Sequence, residues 1–433
     1  MEKYFNLKDQ NTDIKTEILA GITTFLATMY IIVVNPAILS ATGMPFSGVL
    51  TATILVSAFS SIMMGLYAKN PIVLAPGMGI NAFFTYTVVI GMKVPWEVAL
   101  GAVFWSGVVF FLMSIFNIRT HIVKAIPKQI RYGVAGGIGL FICFIGLKNG
   151  GFIVSNPATL IGMGPLTATT LTFIAGLIIT SILIVKKVKG ALIGGIIITT
   201  LLSIPVGRAW GGNTPIVLWK GIFAAPDFSL LFRLDFVESL TFALWPVIFA
   251  FLFTDMFDSL STFMGVAEAA NLTDDKGEPR NIKESLITDS VATLLSGLFG
   301  TSSGTSYIES ATGIEEGGRT GLTAVVAGML FLPFMFFSPL LSIVPAIATA
   351  PVLVLVGVFM MKPVMRIHWD RFDDAIPAFL SLVLIPLTYS ITEGIIWGFL
   401  TWTVIKLAIG RFKEVPAALL VIDVFAVISL INN

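Results

Sequence analysis

Long runs without a charged side chain limit what this chain can fold into more than anything else in it. Val49–Leu66, Leu166–Val185 and Pro351–Met361 contain no Asp, Glu, Lys or Arg. About 20 predominantly apolar residues in a helix cross the roughly 30 Å hydrocarbon core of a bilayer, and many segments here reach that length. Only 12% of residues are charged and 56% are hydrophobic, whereas soluble domains average about 25% charged residues. The chain reads as an all-α polytopic membrane protein. Its longest polar stretches are short loops, so no separate soluble domain is expected. The opening residues MEKYFNLKDQNTDIKTE are polar and mixed in charge, unlike a cleaved signal peptide. The formal charge of +1 points to no class of partner. The single cysteine, Cys143, excludes an intramolecular disulfide and a thiolate metal cluster.

Candidate spans fall at 18–39, 49–68, 96–116, 129–147, 166–185, 190–207, 240–262, 284–299, 318–338, 346–361, 374–391 and 393–410. Two more segments, Pro71–Gly91 and Gly300–Glu316, are too short and too polar for full helices. Counted as broken crossings, they bring the total to fourteen. Basic residues mark the cytoplasmic side of a membrane protein. With the N-terminus inside, only Lys93, Lys148, Arg208, Lys220 and Arg233 fall on the far side. The basic loop Arg119–Arg131 stays inside only if each broken segment crosses once. Both termini are then cytoplasmic, and the apolar tail Val415–Ile431 is placed along the interface.

The halves of the chain resemble each other weakly. Glu17-Ile18-Leu19 and Glu238-Ser239-Leu240 are 221 residues apart, as are Gly107 and Gly328, and Phe110 and Phe331. The Gly-rich breaks PGMGIN, at 76–81, and SGTSYIE, at 303–309, follow at a similar spacing. Seven crossings per half gives the halves opposite orientations, an inverted repeat of the kind common in secondary transporters.

A span can lose helical hydrogen bonds at membrane depth only where the freed groups are buried or line a cavity. Each break reads as an extended piece, a glycine-rich turn and a half-helix, with onsets expected near Ile80 and Ser306. A helix start exposes unpaired N–H groups and a partial positive charge. Asn81 and Glu309 lie in the first turns of these half-helices and face one volume if the repeats cross near the midplane. Taken singly, such runs are ordinary close-packing residues of membrane helices. Their matching places in the two halves point to a polar site.

The stretch 244–263, LWPVIFAFLFTDMFDSLSTF, places Asp255 and Asp258 three residues apart on one helix face. A carboxylate inside a membrane costs about 3 kcal/mol on insertion scales, so such residues face a wet cavity or a partner. The alternative is a helix end in the headgroups, which the uncharged Leu260–Ala267 argues against. Asp289, about two turns into its span, is either a helix-contact residue or functional. Glu315, Glu316 and Arg319 read as a solvated cap, Glu393 as a turn residue, and Asn35–Pro36 as an ordinary helix end, with a place bordering the site as the alternative.

Several chemistries are excluded. No GxxxxGK[ST] run is present, so ATP is not hydrolysed by a P-loop. His121 and His368 lie in basic loops, away from any intramembrane serine, and no HExxH occurs. No enzyme, metal or cofactor is expected. Discrete carboxylates at paired breaks favour alternating access driven by an ion gradient. A buried carboxylate binds a proton readily because desolvation disfavours its charge; sodium remains the competing ion.

The motifs APGMGINAFFTYTVV, FLFTDMFDSLSTFMGVA and GTSSGTSYIESATGIEEGGRTGLTA resemble the azaguanine-resistance-type branch of the nucleobase:cation symporter-2 family, the hypoxanthine/guanine/adenine permeases. The similarity runs from about residue 10 to 410. It implies fourteen segments in two inverted repeats, with short strands in segments 3 and 10. The core domain would comprise 16–116 and 238–338, the gate domain 127–207 and 346–410, and a cytoplasmic or interfacial tail 411–433. Asn81, Asp255 and Glu309 correspond to the family's purine-binding and coupling positions, with Asp258 in support. On this reading Glu309 accepts purine N–H groups, Asp255 holds the other edge or the proton, and Asn81 fixes orientation. Backbone N–H groups near Gly79 and Ser306 meet purine acceptors, and Phe83, Phe84, Phe253 or Phe257 stacks on the ring. The resemblance also implies proton symport into the cell across the plasma membrane and a homodimer through the gate domain. No nucleic acid partner is expected. A same-fold transporter of an anion is the rival, disfavoured because three acids would repel its cargo.

Overall fold

A chain with so few charges has to close its backbone hydrogen bonds within helices, and the elements follow the apolar runs closely. The computed structural model describes residues 2–116, 127–212, 214–270, 272–273 and 279–417, with 419–420, 423–424 and 426–427 in the tail. Arg119, His121, Lys124 and Lys276, which entered the reading of loops and topology, lie outside the described residues, as does much of the tail.

Helix α1 (Ile14–Thr28) begins at Asp13, whose carboxylate accepts from the Thr16 N–H at 2.7 Å. The chain tightens at Met29–Tyr30 and continues as α2 (Ile31–Leu39). Helix α3 (Phe46–Met63) is the second crossing. The third is broken: strand β1 (Leu74–Pro76), helix α4 (Met78–Ala82) and a wide helical stretch over Phe83–Gly91. Helices α5 (Trp96–Ile115), α6 (Lys128–Asn149), α7 (Ala168–Val185) and α8 (Ala191–Ser203) follow.

The second half starts with α9 (Trp245–Ala270) and α10 (Ile282–Phe299). Its broken crossing is β4 (Gly304–Ser306), a 3-10 turn at Ile308–Ser310 and α11 (Ala311–Glu315). Helices α12 (Gly321–Phe331), α13 (Ala346–Phe359), α14 (Phe372–Thr388) and α15 (Ile391–Ala408) complete the order. Among the described residues nine helices are long and apolar enough to cross a membrane. The other expected crossings fall on α8, α10, α14 and the two broken segments.

The sequence reading missed one element. Strands β2 (Ile153–Asn156) and β3 (Leu160–Met163) form an antiparallel hairpin after α6, largely exposed. It lies at the edge of the run at 166–185, where turn residues carry no membrane signal. The second half-helix also starts later than expected. Ser306 ends a strand instead of opening a helix, because its neighbours are paired across to β1.

Helix α5 packs on α10, and α12 on α1 and α3. Helix α6 packs on α13 and α14, α14 on α15, and α7 on α8. Between these groups α4 touches α6 and α9 touches α15. At the crossing of the second and eleventh segments the backbones meet at Gly65 and Gly321. A Cβ on Gly321 would lie 1.9 Å from the Gly65 carbonyl oxygen, so only glycine permits this approach.

Candidate functional site

The two broken segments meet. β1 and β4 pair antiparallel, with Leu74 opposite Ser306, Ala75 opposite Thr305 and Pro76 opposite Gly304. The ladder extends at both ends: Tyr307 N–H donates to the Val73 carbonyl and Gly77 N–H to the Ser303 carbonyl, each at 2.9 Å. Each strand thereby satisfies backbone groups that the other leaves free, which lets both helices be interrupted at membrane depth. Neighbouring hydroxyls complete the pairing. Ser61 Oγ accepts from Leu74 N–H at 3.0 Å, Ser310 Oγ from Val73 N–H at 3.0 Å, and Ser296 Oγ from Gly304 N–H at 3.0 Å. The Gly/Ser/Thr bias of the break thus has a local cause.

Asn81 sits in α4 and is fully buried. Its Oδ1 accepts a hydrogen bond from the Ser302 hydroxyl of the other break, and its Nδ2 lies 3.9 Å from Met78 Sδ. The amide is therefore oriented with its N–H groups nearly uncommitted. Gly79, two residues earlier, lies against α6, where a Cβ would come within 2.4 Å of Ile138 Cγ2. Ser306 is more constrained: its N–H donates to Ser259 Oγ at 3.3 Å.

The carboxylates divide into two sets. Glu309, in the turn after β4, is half-buried, and its Oε1 accepts from the Tyr30 hydroxyl at 2.8 Å. Asp258 is also half-buried and close enough to Glu309 for their charges to interact. Tyr307 lies beside them, its hydroxyl donating to the Pro76 carbonyl at 2.6 Å and its ring 6.4 Å from that of Tyr30. Asp255 points elsewhere. It is fully buried, and its Oδ2 lies within hydrogen-bond distance of the Thr293 hydroxyl on α10. Asp289, also fully buried on α10, is close enough to Asp255 for their charges to interact.

The four phenylalanines suggested for stacking are all packed. Phe83 and Phe84 are buried against Phe251. Phe253 contacts Phe249, Phe257 and Phe399. Phe257 carries the Arg131 guanidinium over its ring, 5.7 Å from the centroid. Asn35 borders the second break directly, donating to Thr53 Oγ1 at 2.7 Å and Thr301 Oγ1 at 2.8 Å. Glu316 pairs with Lys189 at 2.8 Å, and Glu393 lies in the first turn of α15, capped by Ser390.

Sequence reasoning missed Tyr30, Tyr307, Ser302 and Thr293. For the tyrosines a signal was available: a Tyr buried in an apolar span needs a partner for its hydroxyl. Ser302 and Thr293 gave none, being two small polar residues among many.

The Permease family model, Xan_ur_permease, matches residues 15–396. The chain is 41% identical over 434 residues to the adenine permease AdeP of Escherichia coli K12, covering 100% of this chain and 96% of that protein. It is 39% identical to the guanine/hypoxanthine permease PbuO of Bacillus subtilis 168, covering 98% and 99%. Among solved structures, the transmembrane domain of the cyanobacterial bicarbonate transporter BicA superposes with a TM-score of 0.66 at 17% identity, covering 89% of this chain and 97% of that one. That likeness establishes the shared transporter fold, with its helices and short paired strands. By sequence, the chain belongs to the nucleobase:cation symporter-2 family of permeases.

Proposed function

We propose that this permease imports purine nucleobases by proton symport across the plasma membrane, with both termini cytoplasmic. The names of its relatives, adenine and guanine/hypoxanthine permeases, supply the substrate class. The observation that carries the reading is the half-buried Asp258–Glu309 pair beside the junction of the two broken segments. A purine edge presents ring N–H donors next to lone-pair acceptors. Carboxylate oxygens accept from the former, and the Asn81 amide N–H groups and first-turn N–H groups near Gly79 donate to the latter. Tyr30 fixes one oxygen of Glu309 and leaves the other for the base. Ser306 contributes strand geometry, its N–H being committed to Ser259.

The core domain, 16–116 with 238–338, then carries the site, and the gate domain, 127–207 with 346–410, covers it. Gly79 against Ile138 and Phe253 against Phe399 are among the contacts across which the two would move. Access alternates as α6 and its neighbours shift against the paired breaks. A homodimer through the gate domain is part of the same proposal. An anion is a poor cargo, because Asp258 and Glu309 sit half-buried beside the paired breaks with no lysine or arginine acting on either among the described residues.

The test is uptake of labelled adenine, hypoxanthine and sulfate into cells with and without the protein. Purine uptake that is abolished by a proton uncoupler supports the reading. Sulfate uptake without purine uptake contradicts it.

A further inference from the structure

The core and gate segments also meet at the end of the bundle that the proposed topology places outside, and contacts there are polar. The third crossing supplies Tyr86 and Thr87 from its wide helical stretch. The gate supplies Asn149, the last residue of α6, and Tyr389, between α14 and α15. The Thr87 hydroxyl donates to the Tyr389 carbonyl, and Asn149 Nδ2 donates to the Tyr86 hydroxyl at 3.4 Å. Both bonds cross the boundary over which alternating access requires movement.

Tyr389 is firmly placed, yet its side chain is left incomplete. Its ring stands edge-on to Phe141 and Phe144 of α6, with centroids 5.3 and 5.5 Å away. The Lys148 ammonium lies 5.4 Å from the centroid of the same ring. Its backbone ends α14 at a φ of 57°, with its N–H bonded to the Ile385 carbonyl. Helices usually place glycine at this left-handed position, and a bulky residue persists there only where its surroundings impose it. The Tyr389 hydroxyl is enclosed and has no hydrogen-bond partner among the described residues. Tyr86 is near enough to interact with it, but the Tyr86 hydroxyl takes its bond from Asn149. An enclosed hydroxyl without a partner favours any rearrangement that admits water to it.

We propose that Thr87 and Tyr389 form an outer latch: the Thr87 hydrogen bond holds the outside closed, and the unmet Tyr389 hydroxyl limits how firmly. This rests on the alternating-access reading and its topology, and it names residues that set how often the purine site opens outward. Separating core from gate breaks the bond between Thr87 and Tyr389, which opposes opening. It also wets the Tyr389 hydroxyl, which favours opening, so the two effects counter each other. The apparent affinity of a site falls with the fraction of molecules in the competent state. Two residues outside the proposed base-binding positions therefore tune the affinity for external purine without reading the base.

The experiment expresses the full chain in cells lacking their own purine uptake and supplies labelled adenine or hypoxanthine, whichever the wild type carries. Tyr389→Phe removes only the unmet hydroxyl. It is expected to favour the closed form, raising the KM for external purine about tenfold and raising the unfolding temperature of the purified protein. Thr87→Val keeps the shape and removes the latch donor, so both the KM and the unfolding temperature are expected to fall. The ranking of competing purines is expected to match wild type in both variants. An unchanged KM or a lowered unfolding temperature in Tyr389→Phe overturns the proposal, as does a raised KM in Thr87→Val. A wild type that carries neither purine contradicts the substrate reading, and the latch is then judged by labelling. Thr87→Cys is exposed to a membrane-impermeant maleimide from outside, with the wild type and its one cysteine, Cys143, as the blank. Labelling above the blank that slows about tenfold when Tyr389→Phe is added supports the latch. No labelling above the blank, or an equal rate with Tyr389→Phe, overturns it.

Discussion

The hydroxyl of Tyr30 donates to Glu309 Oε1 at 2.8 Å, tying the tightened turn between α1 and α2 to the turn that follows β4. The two residues are 279 positions apart in the chain. The contact occupies one oxygen of Glu309 and leaves the other for the substrate that we propose binds there.

Tyr30→Phe removes that donor without changing the ring. A hydrogen bond to a charged group is worth about 1.5–3 kcal/mol, so the KM for purine uptake is expected to rise about tenfold or more. Membrane abundance is expected to stay near wild type. Uptake kinetics alongside immunodetection in the membrane fraction check both; an unchanged KM detaches Tyr30 from the site.

Glu309→Gln keeps the size of the side chain but replaces one acceptor oxygen with an N–H donor group. Uptake of the preferred purine is expected to fall to background, or the ranking of competing purines to change. The check is a panel of unlabelled purines against one labelled purine. Unaltered uptake and ranking would remove Glu309 from the base-binding position.

Ser302→Ala frees the Asn81 amide to rotate, because the Ser302 hydroxyl is its partner across the two breaks. The expected result is weaker purine binding with a modest loss of stability, since a buried acceptor left without its donor costs about 1–3 kcal/mol. Equilibrium binding and thermal unfolding of the purified protein measure the two effects separately.

Glu17 is a stability element. It is fully buried at the start of α1 and accepts from the backbone N–H groups of Arg319, Thr320 and Thr323 at 2.9, 3.1 and 3.2 Å, and from the Thr323 hydroxyl at 2.6 Å. A carboxylate at a helix N-terminus answers both the unpaired N–H groups and the dipole. Glu17→Ala leaves several buried donors unmet, each costing about 1–3 kcal/mol. A clearly lowered unfolding temperature is expected; an unshifted one would show that water replaces the carboxylate.

The parts of this fold visible in the sequence were those with a one-dimensional signature. Uncharged runs gave the helices, and the Gly/Ser/Thr stretches at 76–81 and 303–309 gave the breaks, because nothing else in an apolar chain interrupts a span so cheaply. The two acids on α9 were visible, but their division was not. Three residues of helix turn the chain about 60° short of a full revolution. That is enough to send Asp255 toward α10 and leave Asp258 beside Glu309, and the direction depends on where α10 packs. Tyr30, Thr293 and Glu17 act through partners many positions away, so spacing along the chain could not reveal them. Of the four phenylalanines offered for stacking, Phe83, Phe84 and Phe253 are buried among other rings, while Phe257 stays half-buried.

The central claim is that a purine sits against Glu309 where the paired breaks meet. An experimental structure of the protein with a purine bound at saturation tests it most directly. The account predicts the heterocycle within hydrogen-bond reach, about 3 Å, of the Glu309 oxygen that Tyr30 leaves free, with the Asn81 amide at another edge. A base lodged elsewhere, with Glu309 bonded to Tyr30 alone, would contradict it.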